Sequence, residues 1–397
     1  MTVRASGPEN VWVGVLGAGA MGSGIAQVAA VAGHPVILQD VDEGAIARAR
    51  AGIDKALTRE SEKGRLTLAA SEAARGRIRC VASAELSAFA PCNLVIEAIV
   101  ERLEPKRQCF AALERVVAPE ATLATNTSAL SITAIAGACQ HPERVVGLHF
   151  FNPAPVMPLV EVVRGQATSG ALVEAACALV QRWGKTTVVA ADTPGFIVNR
   201  VARPFYGEGL RILDEGIADC ATIDWAMRTL GGFRMGPFEL MDLIGNDVNF
   251  AVTSAVYEGF FFDPRYKPSL TQRRLVEANL LGRKTGQGYY DYRDGAPRPA
   301  PREDQTLGRS ILDRILAMLI NEAVDAVFWR VATAADIDVA MVKGVNYPRG
   351  LIAWAEELGY PVALERLEAL QAEYGEDRYR PSPLLRRLAQ FGGTLRG

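Results

Sequence analysis

The sequence predicts an α/β fold: a doubly wound domain on a parallel sheet, followed by two tandem all-α helical domains. Three observations carry this. Over the first half of the 397 residues, eight short β-branched runs (11–16, 36–39, 78–81, 94–98, 122–125, 145–149, 159–163 and 186–189) alternate with helical patterns. Such alternation marks a parallel sheet with helices on its faces. A glycine-rich turn joins the first run to a helix. After Asp192-Thr-Pro-Gly195 the β signal fades, and the rest of the chain is helical and repeats itself.

The first run, VWVGVL, meets Gly17-Ala-Gly19-Ala20-Met21-Gly22, which opens a helix over 21–32. Gly17 suits the tight turn, Gly19 lets a pyrophosphate approach the backbone, and Gly22 lets the helix pack on the strand. The helix N-terminus then offers its N–H groups to the pyrophosphate. Eighteen residues past Gly22, Asp40 ends the second run. A carboxylate there accepts from ribose hydroxyls and repels a 2′-phosphate, so NAD is expected rather than NADP. A purely structural glycine turn is the plainer alternative. Strand, turn, helix and acid together form a Rossmann-type signature. Residues 43–76 are rich in Ala, Arg and Glu, broken near Gly64, and predict a helical hairpin inserted after the second strand. Further helices are expected at 105–117 and 172–183. The first domain is thus 1–192.

In the helical half, Ile223-Asp224-x-Ala226-Met227 recurs 114 positions later as Ile337-Asp338-x-Ala340-Met341. Glu208 and Glu322, Gly236 and Gly350, and Gly245 and Gly359 keep that offset. Tyr266-Lys-Pro-Ser269 recurs as Tyr379-Arg-Pro-Ser382, one residue shorter. An ordered series of matches signals a duplicated unit, 193–292 and 309–397. Between them 293–308, RDGAPRPAPREDQTLG, reads as a linker. The second copy keeps the apolar residues of the first, so it is expected to pack on the first within the chain, as a dimer partner would. Homodimerisation through another surface is compatible with this.

Composition narrows function. Hydrophobic residues are 49% and charged residues 22%, with a net charge of −2. This excludes a disordered chain, and no basic field exists to hold nucleic acid or an anionic membrane. The most apolar stretch, 11–33, carries six glycines and suits a strand–turn–helix unit better than a membrane span. MTVRASGPEN has no apolar core of a signal peptide. Six cysteines, none closer than twelve positions, show no metal spacing and read as reduced buried thiols of a cytoplasmic protein.

Of three histidines, His34 and His141 are expected at the surface. His149 ends a β run, where ligands of open α/β sheets bind; a core imidazole is the alternative. Glu161 lies in the apolar LVEVV, where a carboxylate needs either a partner or a solvent-facing edge strand. With His149 it could form an acid–base pair. Thr125-Asn126-Thr127-Ser128 follows a strand and either caps a helix at 130–135 or lines a site. Asn199 is polar in an apolar helix, and its counterpart is Asp313, so its site is not duplicated. Arg283-Lys-Thr-Gly-Gln-Gly-Tyr-Tyr290 is a basic, glycine-rich loop without a second copy.

Together GAGAMGSGIA, VIEAIVERLEPK, ATNTSALSI, GLHFFNPAPVMPLVEVV, DTPGFIVNR, MGPFELMDLIG and GRKTGQGYYDY resemble the 3-hydroxyacyl-CoA dehydrogenase family, from about Val11 to the end. The duplicated helical domain looks like the bacterial 3-hydroxybutyryl-CoA or 3-hydroxyadipyl-CoA type. The resemblance implies NAD-dependent oxidation of a (3S)-3-hydroxyacyl-CoA in fatty acid or phenylacetate breakdown. It implies His149 as catalytic base, Glu161 as its partner, and Ser128 and Asn199 at the reacting oxygen. Gly17, Gly19, Ala20, Met21, Gly22, Asp40, Glu101, Lys106, Ser128, Asn152 and Lys284 become cofactor contacts, and Lys63 a CoA contact. Ala56 stands where the family often has a serine. Rival expectations are a related NAD-dependent dehydrogenase of a sugar acid or carnitine-like compound, and an idle NAD-binding structural protein.

Overall fold

The structure, a computed structural model, describes residues 11–396. The opening MTVRASGPEN, read above for a targeting signal, and Gly397 lie outside them. The chain divides into two units, Met1–Asp192 and Thr193–Gly397.

In the first unit all eight β-branched runs are strands of one sheet: β1 Val13–Leu16, β2 Val36–Asp40, β3 Ile78–Ala82, β4 Leu94–Glu97, β5 Thr122–Thr125, β6 Val145–Phe150, β7 Leu159–Arg164 and β8 Thr186–Ala191. Their order is β3-β2-β1-β4-β5-β6-β7-β8. Strands β1 to β6 pair in parallel, but β7 runs antiparallel to β6 and β8 runs with β7. The expected parallel sheet is therefore only mostly parallel. The eight residues between β6 and β7 are too few for the crossover that a parallel return demands.

Helices α1 Ala20–Val31, α4 Leu103–Leu113, α5 Ile132–Ala136 and α6 Gly170–Arg182 connect strands, and α2 Glu43–Glu62 with α3 Leu68–Arg77 form the hairpin. Gly64, at a φ of +67°, makes its turn. Ala49, Ile53 and Leu57 are the buried face of α2, four residues apart, as an amphipathic helix requires. At the glycine turn the chain itself imposes two glycines. Gly17 has a φ of +102°, and a Cβ on Gly22 would lie 1.8 Å from Gly17 O.

Two expectations fail here. His34 is buried, not exposed: its Nδ1 lies 3.0 Å from Val11 O, and Trp183 packs beside it. Apolar neighbours cover the turn that the sequence places at the surface. All six cysteines are free, but only Cys92 is fully buried.

The second unit is helical: α7 Val198–Val201, α8 Arg203–Asp214, α9 Cys220–Trp225, α10 Pro237–Ile244, α11 Asn246–Gly259, α12 Leu270–Glu277, α13 Gln305–Phe328, α14 Ala334–Gly344, α15 Leu351–Leu358, α16 Tyr360–Tyr374 and α17 Pro383–Phe391. Asp304 caps α13, accepting from Thr306 N and Leu307 N, so the last residues of 293–308 are helical. At the sequence offset of the repeat, α13 lines up with α7–α8, and α14 to α17 line up with α9 to α12.

Charged residues join the halves reciprocally. Glu322 on α13 accepts from Arg200 Nε at 2.6 Å, Arg265 at 3.2 Å and Tyr266 OH at 2.6 Å. Glu208 on α8 accepts from the counterparts of these three: Arg314 Nε at 2.9 Å, Arg378 Nε at 2.7 Å and Tyr379 OH at 3.0 Å. Both glutamates are fully buried. Among the described residues no helix is long and apolar enough to cross a membrane, and no cluster of potential metal ligands occurs.

Candidate active site

Strand order reverses between β1 and β4, so a crevice opens at their carboxyl ends. The glycine turn leaves β1 there. Asp40, at the end of β2, accepts from Ala18 N at 2.7 Å and from Asp42 N at 3.0 Å. A Cβ on Gly19 would meet nothing within 4 Å. Internal packing therefore does not require glycine at Gly19, whereas a close-approaching pyrophosphate does. An open cleft lies beside it, lined by Ala18, Gly19, Ala20, Ser23, Ala45, Arg48 and Ala49. Met21 follows on the first turn of α1. These residues fit the NAD that the signature implies.

At the ends of β4 and β5 a chain of charges runs from the buried Glu97 and Lys106 out to the exposed Glu101. Lys106, on α4, is buried and reaches Glu97 Oε1 at 2.6 Å and Glu101 Oε2 at 3.2 Å. Glu97 also accepts from Thr125 Oγ1 at 2.8 Å. Glu101 Oε1 accepts from Thr127 Oγ1 at 2.6 Å, Ser128 N at 2.8 Å and Ser128 Oγ at 3.3 Å. Burial pushes the Glu101 carboxyl up, but Lys106 and these hydrogen bonds outweigh it and hold it below its ordinary range. Glu101, Lys106 and Ser128 are thus brought together. The helix after Ser128 starts at Ile132, later than 130, and its caps are Ser131 and Asp192.

His149 and Glu161 are cross-strand partners in the β6–β7 register, on one face. His149 Nδ1 lies 2.5 Å from Glu161 Oε2, and both side chains are buried. β7 lies inside the sheet, so Glu161 is not a solvent-facing edge residue. Asn126 Oδ1 accepts from Phe150 N at 2.8 Å and ties β5 to the end of β6. Asn152 is exposed in the following loop. Lys185 Nζ holds that loop through Ala154 O at 2.6 Å and Met157 O at 2.8 Å. Lys63 is exposed at the end of α2.

Asn199 and Lys284 belong to the second unit. Asn199 is half-buried on α7. Its counterpart Asp313 pairs with Arg366 at 3.1 Å. Lys284 Nζ sits on Asp247 at 2.5 and 2.7 Å. Its loop is organised by the buried Asp242, which accepts from Tyr289 N, Tyr290 N and Asn246 Nδ2. Sequence reasoning missed Glu97, Lys185 and Asp242. The signal that marked Glu161, a charge inside an apolar run, was equally present in LVIEAIV and FELMDLIG.

Comparison with known proteins agrees along the whole chain. The family model "3-hydroxyacyl-CoA dehydrogenase, NAD binding domain" matches residues 12–193, and "3-hydroxyacyl-CoA dehydrogenase, C-terminal domain" matches 195–292 and 311–396. The chain is 42% identical to a 3-hydroxyadipyl-CoA dehydrogenase of Escherichia coli (strain K12), covering 95% of this chain and 97% of that protein. It is 44% identical to a 3-hydroxybutyryl-CoA dehydrogenase of Bradyrhizobium diazoefficiens, over 72% of this chain and 97% of that one. The crystal structure of a 3-hydroxybutyryl-CoA dehydrogenase from Escherichia coli K12 superposes with a TM-score of 0.90 at 40% identity, covering 97% of this chain and 99% of that chain. With both family models matched in order and relatives this similar over nearly their whole length, the chain belongs to the 3-hydroxyacyl-CoA dehydrogenase family.

Proposed function

We propose that this chain oxidises a (3S)-3-hydroxyacyl-CoA to the 3-oxoacyl-CoA with NAD in the cytoplasm, using His149 as general base and Glu161 as its partner. The observation that carries the reading is the buried His149–Glu161 pair at the carboxyl end of β6. With Nδ1–H directed at the carboxylate, the tautomer is set and Nε2 is the basic nitrogen. Nε2 takes the 3-hydroxyl proton as the C3 hydride departs, and Glu161 stabilises the imidazolium that forms. Bound NAD supplies the hydride acceptor. Ser128, held by Glu101, and Asn199 hold the oxygen as it changes from alcohol to ketone. Asp40, Glu101, Lys106, Asn152 and Lys284 serve the cofactor, Lys106 through the carboxylates it bridges. Lys63 serves the CoA moiety. The second helical copy stands in place of a dimer partner's copy, bound by the two reciprocal glutamate clusters.

NAD-coupled turnover of 3-hydroxybutyryl-CoA, set against free 3-hydroxybutyrate, tests this. Turnover of the thioester alone is expected. NADH binding without turnover of any 3-hydroxyacyl-CoA overturns it, and turnover of free hydroxy acids alone favours the non-CoA alternative.

Asp40→Ala narrows the preference for NAD over NADP, because it removes both the ribose acceptor and the charge that repels a 2′-phosphate. It also frees Ala18 N, so NAD binding weakens as well. The ratio of kcat/KM values for the two cofactors checks this, and an unchanged ratio places the discrimination elsewhere.

A further inference from the structure

The loop between β6 and β7, residues 151–158, reads Phe-Asn-Pro-Ala-Pro-Val-Met-Pro. Its prolines bring no N–H. The N–H groups of Val156 and Met157 both go to Pro153 O, at 2.9 and 3.0 Å. The loop is therefore fastened to the sheet through its carbonyls. Thr186 N donates to Pro158 O at 2.8 Å, and the Lys185 ammonium donates to Ala154 O at 2.6 Å and to Met157 O at 2.8 Å. An ammonium, all donor and no acceptor, suits a segment that offers mainly carbonyls. Apolar burial adds little, because Ala154 is the one buried residue of the loop.

Lys185 is itself buried, and among the described residues no carboxylate pairs with it. Burial pulls its pKa below the ordinary lysine value. A buried cation is costly unless it is compensated, and the two carbonyls of the loop compensate it here. The other side of the loop rests on α1. A Cβ on Gly24 would lie 3.1 Å from Pro155 Cδ and 3.2 Å from Ala154 Cβ, so the loop packs against the backbone of the helix that the glycine turn opens. Its first residues follow the base: the Phe151 ring lies 4.5 Å from the His149 ring, centre to centre, and Asn152 comes next. One segment thus joins the helix behind the glycine turn to the end of the strand that carries His149, and Lys185 clamps it from the start of β8.

We propose that Lys185 is a positioning residue for hydride transfer: by clamping residues 151–158 against α1 it fixes Asn152, and through it the nicotinamide ring of bound NAD, relative to His149. This rests on the reading of the chain as an NAD-dependent dehydrogenase with Asn152 at the cofactor. In this role Lys185 touches neither cofactor nor substrate and leaves the His149–Glu161 pair alone. With the loop loosened, the glycine turn and Asp40 still hold the adenosine half of NAD, but Asn152 no longer keeps the ring at attacking distance. A misplacement of about 1 Å costs about 10²-fold in rate.

Lys185→Met keeps the stem and removes the donors. Backbone hydrogen exchange, measured on the protein without substrate or cofactor, is expected to quicken at 151–158 in this variant and to stay unchanged in β1 and β5. The wild-type protein gives a reading that needs no variant: the amides of Val156 and Met157 are expected to be protected, although Val156 is exposed. In single-turnover NADH formation from 3-hydroxybutyryl-CoA the variant is expected to be slower by about 10–100-fold, with NADH binding and the KM for NAD little changed. Lys185→Arg, which again offers donors, should restore part of the rate. A lysine that only stabilised the fold would lower the melting temperature and leave the single-turnover rate of the folded protein intact. Unprotected amides in the wild type, unchanged exchange in Lys185→Met, or an unchanged single-turnover rate overturns the clamp. If the exchange results are as expected but the wild-type protein oxidises no 3-hydroxyacyl-CoA, it is the dehydrogenase reading that fails.

Discussion

His149→Ala lowers turnover of a 3-hydroxyacyl-CoA by about 10²–10⁴-fold, the range for losing a general base. NADH binding survives, because the glycine turn and Asp40 are separate from the β6–β7 pair. The side chain is buried against Glu161 and packs 4.5 Å from the Phe151 ring, centre to centre, so alanine leaves a small gap rather than a broken sheet. Steady-state rates together with NADH fluorescence titration check both halves of the statement. Turnover near the wild-type rate would remove His149 from the mechanism. Glu161→Gln also slows turnover, with a smaller change in volume. An amide can still accept from Nδ1 but carries no charge to stabilise an imidazolium. A rate and pH profile matching the wild type would dissolve the pair as a catalytic unit.

Glu322→Ala destabilises the helical unit by about 3–5 kcal/mol, because it strands buried cations rather than merely deleting a contact. Arg200 and Arg265 both lose their shared glutamate and share one remaining ion-pair partner, Asp325, at 3.1 Å from each. Tyr266 loses its acceptor. Denaturant unfolding measures the loss, and a change below about 1 kcal/mol would show the cluster to be incidental. The same clusters set an acid limit. Burial pushes Glu208 and Glu322 up, but their arginines outweigh it and hold both below the ordinary 4.5. Their stabilisation is full above that pH and is lost as pH falls through the depressed native values.

Much of the first unit was legible because its strands are β-branched runs bounded by turns. The glycine turn was legible because two of its glycines, Gly17 and Gly22, are forced by backbone contact, and the third, Gly19, stands in open space where a pyrophosphate would approach. The direction of β7 was not read, although the short return to it already excluded a crossover. The Glu161 role could not be settled by alternation, since one residue of register decides whether a carboxylate meets His149 or faces away. His34 was misread because a turn looks exposed until the residues covering it, here Trp183, are known. Glu97 escaped notice as a strand-end residue, yet its partner Lys106 sits only nine positions on. The duplication was read from matched residues, but the exchange of partners across it was not. Glu322 bonds residues more than fifty positions distant, and no local pattern announces them.

That exchange bears on how the helical unit folds. Among the bonds described above, Glu208 finds its partners only in the later half, and Glu322 finds its own only in the earlier half. Neither half can satisfy its central carboxylate alone, so a state with one half formed holds an uncompensated buried charge and is disfavoured. Residues 193–397 should therefore melt as a single cooperative block, with hydrogen exchange at α8 and α13 governed by one shared opening free energy, even though the sequence spells the block out twice.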